Sequence, residues 1–390
     1  MPENITDYTA SMWKYFPVSE NEPEILPEYL VKSEICGKST VIASRVRGKK
    51  HKHDGTNCDD WFETASDGDI IYIAVADGAG SKKYSGIGAR EACRTVCGYL
   101  KYTFEKSVLN GHIISDLSSD LKDEKCISAC KILANIVQDS VKKAYSAVES
   151  AFYSRVTDKS YSECLSRTLN IDDFSSTLLV AVVIPLESDE VKKLVISCQI
   201  GDGAIVLVNT NETFEKSVKL MGKSDSGDFS GETDFLTSVN LPESANLAVR
   251  TRVSVDSSDI LMLMTDGVSD DYFPPESQMQ RLYLDLSANG ILSVDFDESD
   301  LSEDIPEPDF YSWVNDKTIK VGLNYTRNIC EKSDISLESL WNDRRIIKSV
   351  EIKSNDLFDT NNPSERLKIW LDNYIERGSF DDRTLVIVRM

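Results

Sequence analysis

Apolar residues along this chain fall into two rhythms. Short continuous runs rich in Val, Ile and Leu occupy 70–76, 178–184, 194–200, 203–208, 260–265 and 384–388. Runs of that length and composition predict buried β-strands. Between them lie two stretches with three- and four-residue apolar steps. One spans about 86–104, with Ala89, Cys93, Val96, Cys97 and Leu100 on one face. The other spans about 126–152, with Ile132, Leu133, Ile136, Val137, Val141, Tyr145, Val148 and Phe152 recurring. Both predict amphipathic helices. Strands and helices are segregated in this order, so the pattern predicts an α+β fold with antiparallel sheets covered by helices, sheet packing on sheet.

Two regions break the rhythm. Residues 1–38 are polar and punctuated by Pro17, Pro23 and Pro27, and they read as an N-terminal extension, loosely packed or acting as a lid. The stretch from about 280 to 360 is acidic and turn-rich, as in Asp295-Phe296-Asp297-Glu298-Ser299-Asp300, and reads as an insertion inside one domain covering 39–390.

Charge narrows the function. Lys plus Arg number 43 against 65 Asp plus Glu, a net charge of −22. Binding nucleic acid or an anionic membrane needs a basic face, so neither partner is expected. No run approaches the roughly 18 apolar residues of a membrane span, and the N-terminus lacks a secretory signal, so a cytoplasmic protein is expected. Cys93/Cys97 and Cys126/Cys130 have a spacing that could hold a metal, but with three histidines in the chain, reduced and partly buried thiols are the better reading.

The chemistry-bearing feature is a set of aspartates at the ends of apolar runs. Ile70–Ala76 stops at Asp77-Gly78-Ala79-Gly80, and Ile260–Met264 leads into Thr265-Asp266-Gly267. A carboxylate at the lip of a buried strand is costly unless something cationic holds it. Several brought together would suit a hard divalent ion. The series also includes Asp59-Asp60 before Trp61-Phe62, Ser175-Ser176-Thr177, Gly201-Asp202, Asp270, and Asp381-Asp382-Arg383-Thr384.

In order and context these motifs resemble the metal-dependent protein phosphatases of the PPM (PP2C) family, over about 40–275 and 364–390. Gly48-x-x-His51 with Cys58-Asp59-Asp60 is similar to the bacterial branch, as is, more loosely, Gly231–Leu236. The resemblance implies a four-layer sandwich, two central antiparallel sheets flanked by helices. It implies two Mg²⁺ or Mn²⁺ ions: Asp60 and Asp77 hold the first, and Asp77, the Gly78 carbonyl, Asp266 and Asp381 the second. Asp202, Asp266 and Asp270 match a third-ion position. Asp382, where many members have Asn, is expected to be a solvated neighbour rather than a ligand. The activity implied is hydrolysis of phosphoserine and phosphothreonine on proteins by attack of a metal-bridging water, with a phosphorylated protein and a Ser/Thr kinase as partners. The alternatives are a catalytically weak module that binds a phosphorylated partner, and a phosphatase of a small metabolite.

Two departures stand out. Many members carry an arginine five residues before the first-metal aspartate, where this chain has Gly55, and animal-type members carry a histidine where Ala79 stands. Substitutes for the arginine could come from Arg45, Arg47, Lys49, Lys50, His51, Lys52 or His53. His51 falls on the bacterial pattern and is the candidate for phosphate contact or proton donation. Without a histidine at 79, poor leaving groups should be hydrolysed more slowly than aryl phosphates. Ser175, Ser176 and Thr177 are expected to satisfy backbone groups rather than to react.

Overall fold

The computed structural model describes residues 13–109, 113–210, 216–222, 233–238, 241–275, 362–373 and 380–390, with residue 212 and a few positions between 278 and 292. Along the chain run strands β1 (Tyr29–Cys36) and β2 (Ser39–Val46), helix α1 (Lys49–Asp54), then β3 (Trp61–Asp67) and β4 (Ile70–Ala76). Helices α2 (Ser85–Leu109), α3 (Glu124–Arg155) and α4 (Lys159–Leu165) follow. Next come β5 (Leu178–Leu186), β6 (Asp189–Ile200), β7 (Ala204–Val208), β8 (Val218–Leu220), α5 (Ser244–Arg250), β9 (Thr251–Asp256), β10 (Ile260–Met264) and α6 (Asp266–Ser269). The last elements are α7 (Pro363–Asn373) and β11 (Arg383–Arg389).

The strands form two antiparallel sheets, in the orders β1-β2-β11-β10-β7-β8 and β3-β4-β5-β6-β9. The inner faces meet through Val41, Ala43, Ile71, Ile73, Val75, Leu179, Ala181, Leu261, Leu263, Val386 and Val388, all buried. Because β4, β5, β10 and β11 are covered on both faces, their sequences are continuous apolar runs rather than alternating ones. The outer face of the five-stranded sheet lies under α2 and α3, and that of the six-stranded sheet under α7. The result is the expected four-layer α+β sandwich. Among the described residues, no helix is long and apolar enough to cross a membrane.

Both long helices appear where the periodicity places them. In α3 the buried stripe is Cys126, Ala129, Cys130, Leu133, Val137, Val141, Ala144 and Val148. Ile132, predicted on that face, is instead 43% exposed, one step off the stripe. Asp123 caps the helix, accepting from the Lys125 amide at 3.2 Å.

The N-terminal expectation needs correction. Residues 29–36 are not a loose extension but edge strand β1, paired along its length with β2. The preceding segment is tied down as well: the Phe16 amide bonds the Lys52 carbonyl at 2.7 Å, Ser19 bonds Gly55 at 3.0 Å, and Leu26 bonds the Asn57 side chain at 2.8 Å. Glu24 receives Arg155 at 2.9 Å and Arg90 at 2.5 Å. Most of the 280–360 insertion lies outside the described residues, as do Gly231 and Glu232 of Gly231–Leu236.

Candidate metal centre

Chain topology brings the aspartates together at one end of the sandwich. Asp60 precedes β3 and Asp77 follows β4, the hairpin partner of β3. Asp202 sits in the tight β6–β7 connection, where Gly201 has φ +101°. Asp266 follows β10, and Asp381 and Asp382 precede β11, its sheet neighbour. Two glycines allow backbones to approach. A Cβ at Gly78 would lie 2.7 Å from the Asp59 carbonyl oxygen, and one at Gly267 would lie 1.9 Å from the Asp382 carbonyl oxygen. No side chain larger than hydrogen fits either place without moving main chain.

Asp77, Asp202 and Asp266 each bring a carboxylate oxygen within 4.8 Å of the others. Asp60 is buried, and its Oδ2 accepts from Thr265 Oγ1 at 2.8 Å and Thr384 Oγ1 at 2.7 Å. Its Oδ1 is buried with no hydrogen-bond partner among the described residues. Such an orphaned carboxylate oxygen is rare in a well-packed interior and marks a place where a cation belongs. The electrostatics point the same way. Burial, with Asp382 beside it, pushes Asp60 up to about 7, against the two threonine hydroxyls and the neighbouring Asp77 carboxyl. Burial and then Asp266, Asp60 and Asp381 push Asp77 well above the carboxylate range. Asp266 is raised likewise by burial and then by Asp202, Asp381, Asp60 and Asp270. Asp270, at the rim, is raised to about 6 by burial and Asp202. These groups crowd one another, so they must either take up protons or share a cation. The donors are all oxygens, which suits Mg²⁺ or Mn²⁺ better than Zn²⁺. The residues present therefore fit a divalent centre.

A second cluster adjoins the first. His51, Asp381 and Asp382 bring one side-chain atom each within 4.8 Å of one another. Contrary to the expectation of a solvated neighbour, Asp382 is only 2% exposed and acts as a hub. It accepts from the Gly48 amide and the Asp59 amide, both at 2.5 Å, and from His51 Nδ1 at 2.8 Å. Burial opposes its charge, yet His51 and those amides hold its carboxyl below the usual range. Burial likewise opposes charge on His51, but Asp382, then Asp59 and Asp381, overcome it and raise the imidazole to about 10. Its other nitrogen, Nε2, lies 3.9 Å from Asp59 Oδ2. His51 is thus a buried imidazolium held by Asp382. Asp59 itself is pushed up to about 8 by burial, against the pull of His51.

The missing arginine has a local cause. Gly55 is the C-cap of α1, in left-handed conformation at φ +68°. A side chain there is strained, which favours glycine. Arg45 and Arg47 do not replace it. Arg45 is fully buried, donates to the Asp60 carbonyl at 2.7 Å and to the Pro27 carbonyl, and packs 4.7 Å over the Trp61 ring. Arg47 binds Glu28 at 2.6 Å and the carbonyls of Phe16 and His51. Lys52 pairs with Asp372, and His53 accepts from the Lys14 amide at 3.1 Å. Lys49 is lowered to about 8 by burial and the nearby Arg383.

The hydroxyls after the 3₁₀ turn Ile171–Phe174 divide in role. Thr177 Oγ1 accepts from the Asp77 amide at 2.8 Å and so helps set the first carboxylate at the strand end. Ser175 Oγ pairs with Thr237 Oγ1 at 2.6 Å, while Ser176 Oγ has no partner among the described residues. Sequence reasoning missed Thr265 and Thr384 as supports of Asp60. Each flanks a candidate ligand motif, Thr265-Asp266 and Asp382-Arg383-Thr384, and that adjacency was the available signal. All described cysteines except Cys164 are buried, and none is paired.

The family model described as Protein phosphatase 2C matches residues 47–290. The chain belongs to that family. Among solved structures, a bacterial serine phosphatase is 10% identical, with 90% of this chain and 97% of that chain covered and a TM-score of 0.37. Serine/threonine phosphatase Stp1 from Staphylococcus aureus is 12% identical, covering 97% and 98%, with a TM-score of 0.35. RsbX in complex with magnesium is 11% identical, covering 92% and 99%, with a TM-score of 0.34. No curated protein sequence matches.

Proposed function

We propose that this protein is a Mg²⁺- or Mn²⁺-dependent phosphatase that hydrolyses phosphoserine and phosphothreonine on proteins. The observation that carries the reading is the convergence of Asp60, Asp77 and Asp266 into one mutually destabilised carboxylate cluster with an orphaned Asp60 oxygen. In this reading Asp60, Asp77, the Gly78 carbonyl, Asp266 and Asp381 hold two ions, and Asp202 and Asp270 serve a third. The ions, when bound, supply charge neutralisation at phosphoryl oxygens and a water acidified for attack. The chain's own residues orient them. Thr265 and Thr384 fix the Asp60 carboxylate, Thr177 fixes the Asp77 backbone, and Asp382 ties α1 to the β11 entry. His51, protonated and beside Asp59, is placed to contact phosphate oxygens. A partner Ser/Thr kinase and a single phosphatase domain that includes β1, interrupted at about 280–360, belong to the same reading.

The test is hydrolysis of p-nitrophenyl phosphate with Mn²⁺, repeated on Asp266→Asn, followed by a panel of phosphopeptides and phosphorylated metabolites. The reading expects Mn²⁺-dependent turnover that the substitution abolishes, and preference for the peptides. Equal activity in the variant would sink the assigned site, and preference for a metabolite would sink the substrate class.

A further inference from the structure

His51, which clusters with Asp381 and Asp382, and Asp59 line a cavity of about 220 Å³, whose lining also includes Glu22, Lys50, Lys82 and Lys83. Three lysines on one small cavity, balancing the carboxylates Glu22, Asp54 and Asp59, make its lining far less acidic than a chain of net charge −22. Lys83 is already committed to Glu22. Lys50 and Lys82 are different. Neither ammonium group makes an ion pair or hydrogen bond among the described residues, although Glu22, Asp54 and Asp59 line the same cavity.

The backbone of Lys82 is held firmly. It lies in the turn that follows Asp77-Gly78-Ala79-Gly80, its amide donating to the Ala79 carbonyl at 2.8 Å, and its carbonyl accepting from Ser85 Oγ at 2.8 Å. Its Cα is therefore fixed five residues beyond a candidate ligand, at the cavity wall, while its four-carbon stem can swing. Lys50 reaches the same cavity from α1, the residue before His51. An ammonium is a compact point charge with three donors, suited to the oxygens of a phosphomonoester dianion.

We propose that Lys82, assisted by Lys50, grips the substrate phosphate, in the place of the arginine that the left-handed cap at Gly55 excludes. The proposal rests on reading the neighbouring carboxylates as a phosphatase centre. It moves the phosphate-gripping role from the segment before Asp60 to the loop after Asp77. The ligand class is a phosphomonoester dianion, with free inorganic phosphate as its simplest probe.

The experiment compares wild type, Lys82→Met, Lys82→Arg and Lys50→Met in Mn²⁺. Inorganic phosphate affinity is measured by calorimetry, KM and kcat on p-nitrophenyl phosphate by rate, and Mn²⁺ binding by electron paramagnetic resonance. Lys82→Met should weaken phosphate binding and raise KM by roughly tenfold or more, the loss expected of one charge-assisted hydrogen bond. It should change kcat by less than about threefold, since the grip is made before and during the reaction. Lys82→Arg should stay within about threefold of wild type, and Lys50→Met should show the smaller loss. Mn²⁺ binding should be unaltered in all. Lys82→Gln replaces Lys82→Met if the latter melts early. Phosphate affinity and KM within about twofold of wild type in the Lys82 variant would overturn the proposal while leaving the metal centre standing. A wild type without turnover would refute the phosphatase reading, and calorimetry would still decide the phosphate grip.

Discussion

Replacing Asp382 by asparagine is a stringent probe, because a carboxylate of nearly the same shape becomes a neutral amide. Asp382 accepts three bonds, from the Gly48 and Asp59 amides at 2.5 Å and from His51 Nδ1 at 2.8 Å. Asparagine keeps one oxygen and turns an NH₂ toward at least one of these donors. A hydrogen bond to a charged group contributes about 1.5–3 kcal/mol, and an unsatisfied buried donor costs about 1–3 kcal/mol. Loss of one such bond with one donor stranded gives about 3 kcal/mol. The effect on His51 is larger in kind. Its imidazole sits at about 10 against an ordinary 6.5. At about 1.4 kcal/mol per unit, the pairing corresponds to roughly 5 kcal/mol at most. Since the folded value is raised, this stability is fully present below about pH 6.5 and is lost as pH rises through 10. Asp59, raised to about 8, loses its contribution at lower pH, so the interval from 8 to 10 isolates His51 in the difference between the two proteins. Urea denaturation in chelator from pH 6 to 10, with NMR titration of the His51 ring, reads both effects. Asp382→Asn should be about 3 kcal/mol less stable at pH 7, should flatten that difference limb, and should bring His51 well below 10, because burial remains and only Asp59 and Asp381 still favour its charge. A variant within 1 kcal/mol of wild type, or a His51 that still titrates near 10, would refute the hub.

Other expectations follow from the same geometry. Gly78→Ala forces a Cβ to 2.7 Å from the Asp59 carbonyl and 2.9 Å from Ser85 carbonyl carbon, so it should cost about 1–3 kcal/mol and weaken Mn²⁺ binding at least about tenfold by calorimetry. Glu24 is held below the usual carboxylate range by Arg155 and Arg90 despite its burial. Its stabilisation is present above the unfolded carboxyl pKa and lost as pH falls, so Glu24→Gln should flatten the acid limb of a stability profile by about 1 kcal/mol. An unchanged acid limb would show that the N-terminal segment is not held this way.

Much of the architecture was legible because burial on both faces writes itself as unbroken apolar runs, as in β4, β5, β10 and β11. Strand β1 was hidden by the reverse situation. Its apolar Tyr29, Val31 and Ile35 face outward, while Lys32 and Glu34 point inward and pair with each other at 2.9 Å. Helix α1, Lys-Lys-His-Lys-His-Asp, has no apolar face at all. The backbone bonds Lys50–Phe380 and Phe16–Lys52 and the left-handed Gly55 anchor it. The aspartates could be found because each flanks a strand. Asp382 could not be weighed in sequence, since its three partners lie more than 320 residues away. Lys82 gave no signal, because only folding places the loop after β4 beside α1.

The central claim is that the clustered carboxylates form a divalent-ion centre. Electron paramagnetic resonance titration of Mn²⁺, paired with thermal melts of wild type and Asp77→Asn, tests it most directly. Wild type should bind at least two ions and melt higher with Mn²⁺, by the mass action of a ligand that favours the folded state. Without metal, Asp77→Asn should melt above wild type, because one crowded charge is gone, and should gain far less from Mn²⁺. No Mn²⁺ bound at millimolar concentration, or an Asp77→Asn protein that binds as wild type does, would contradict the account.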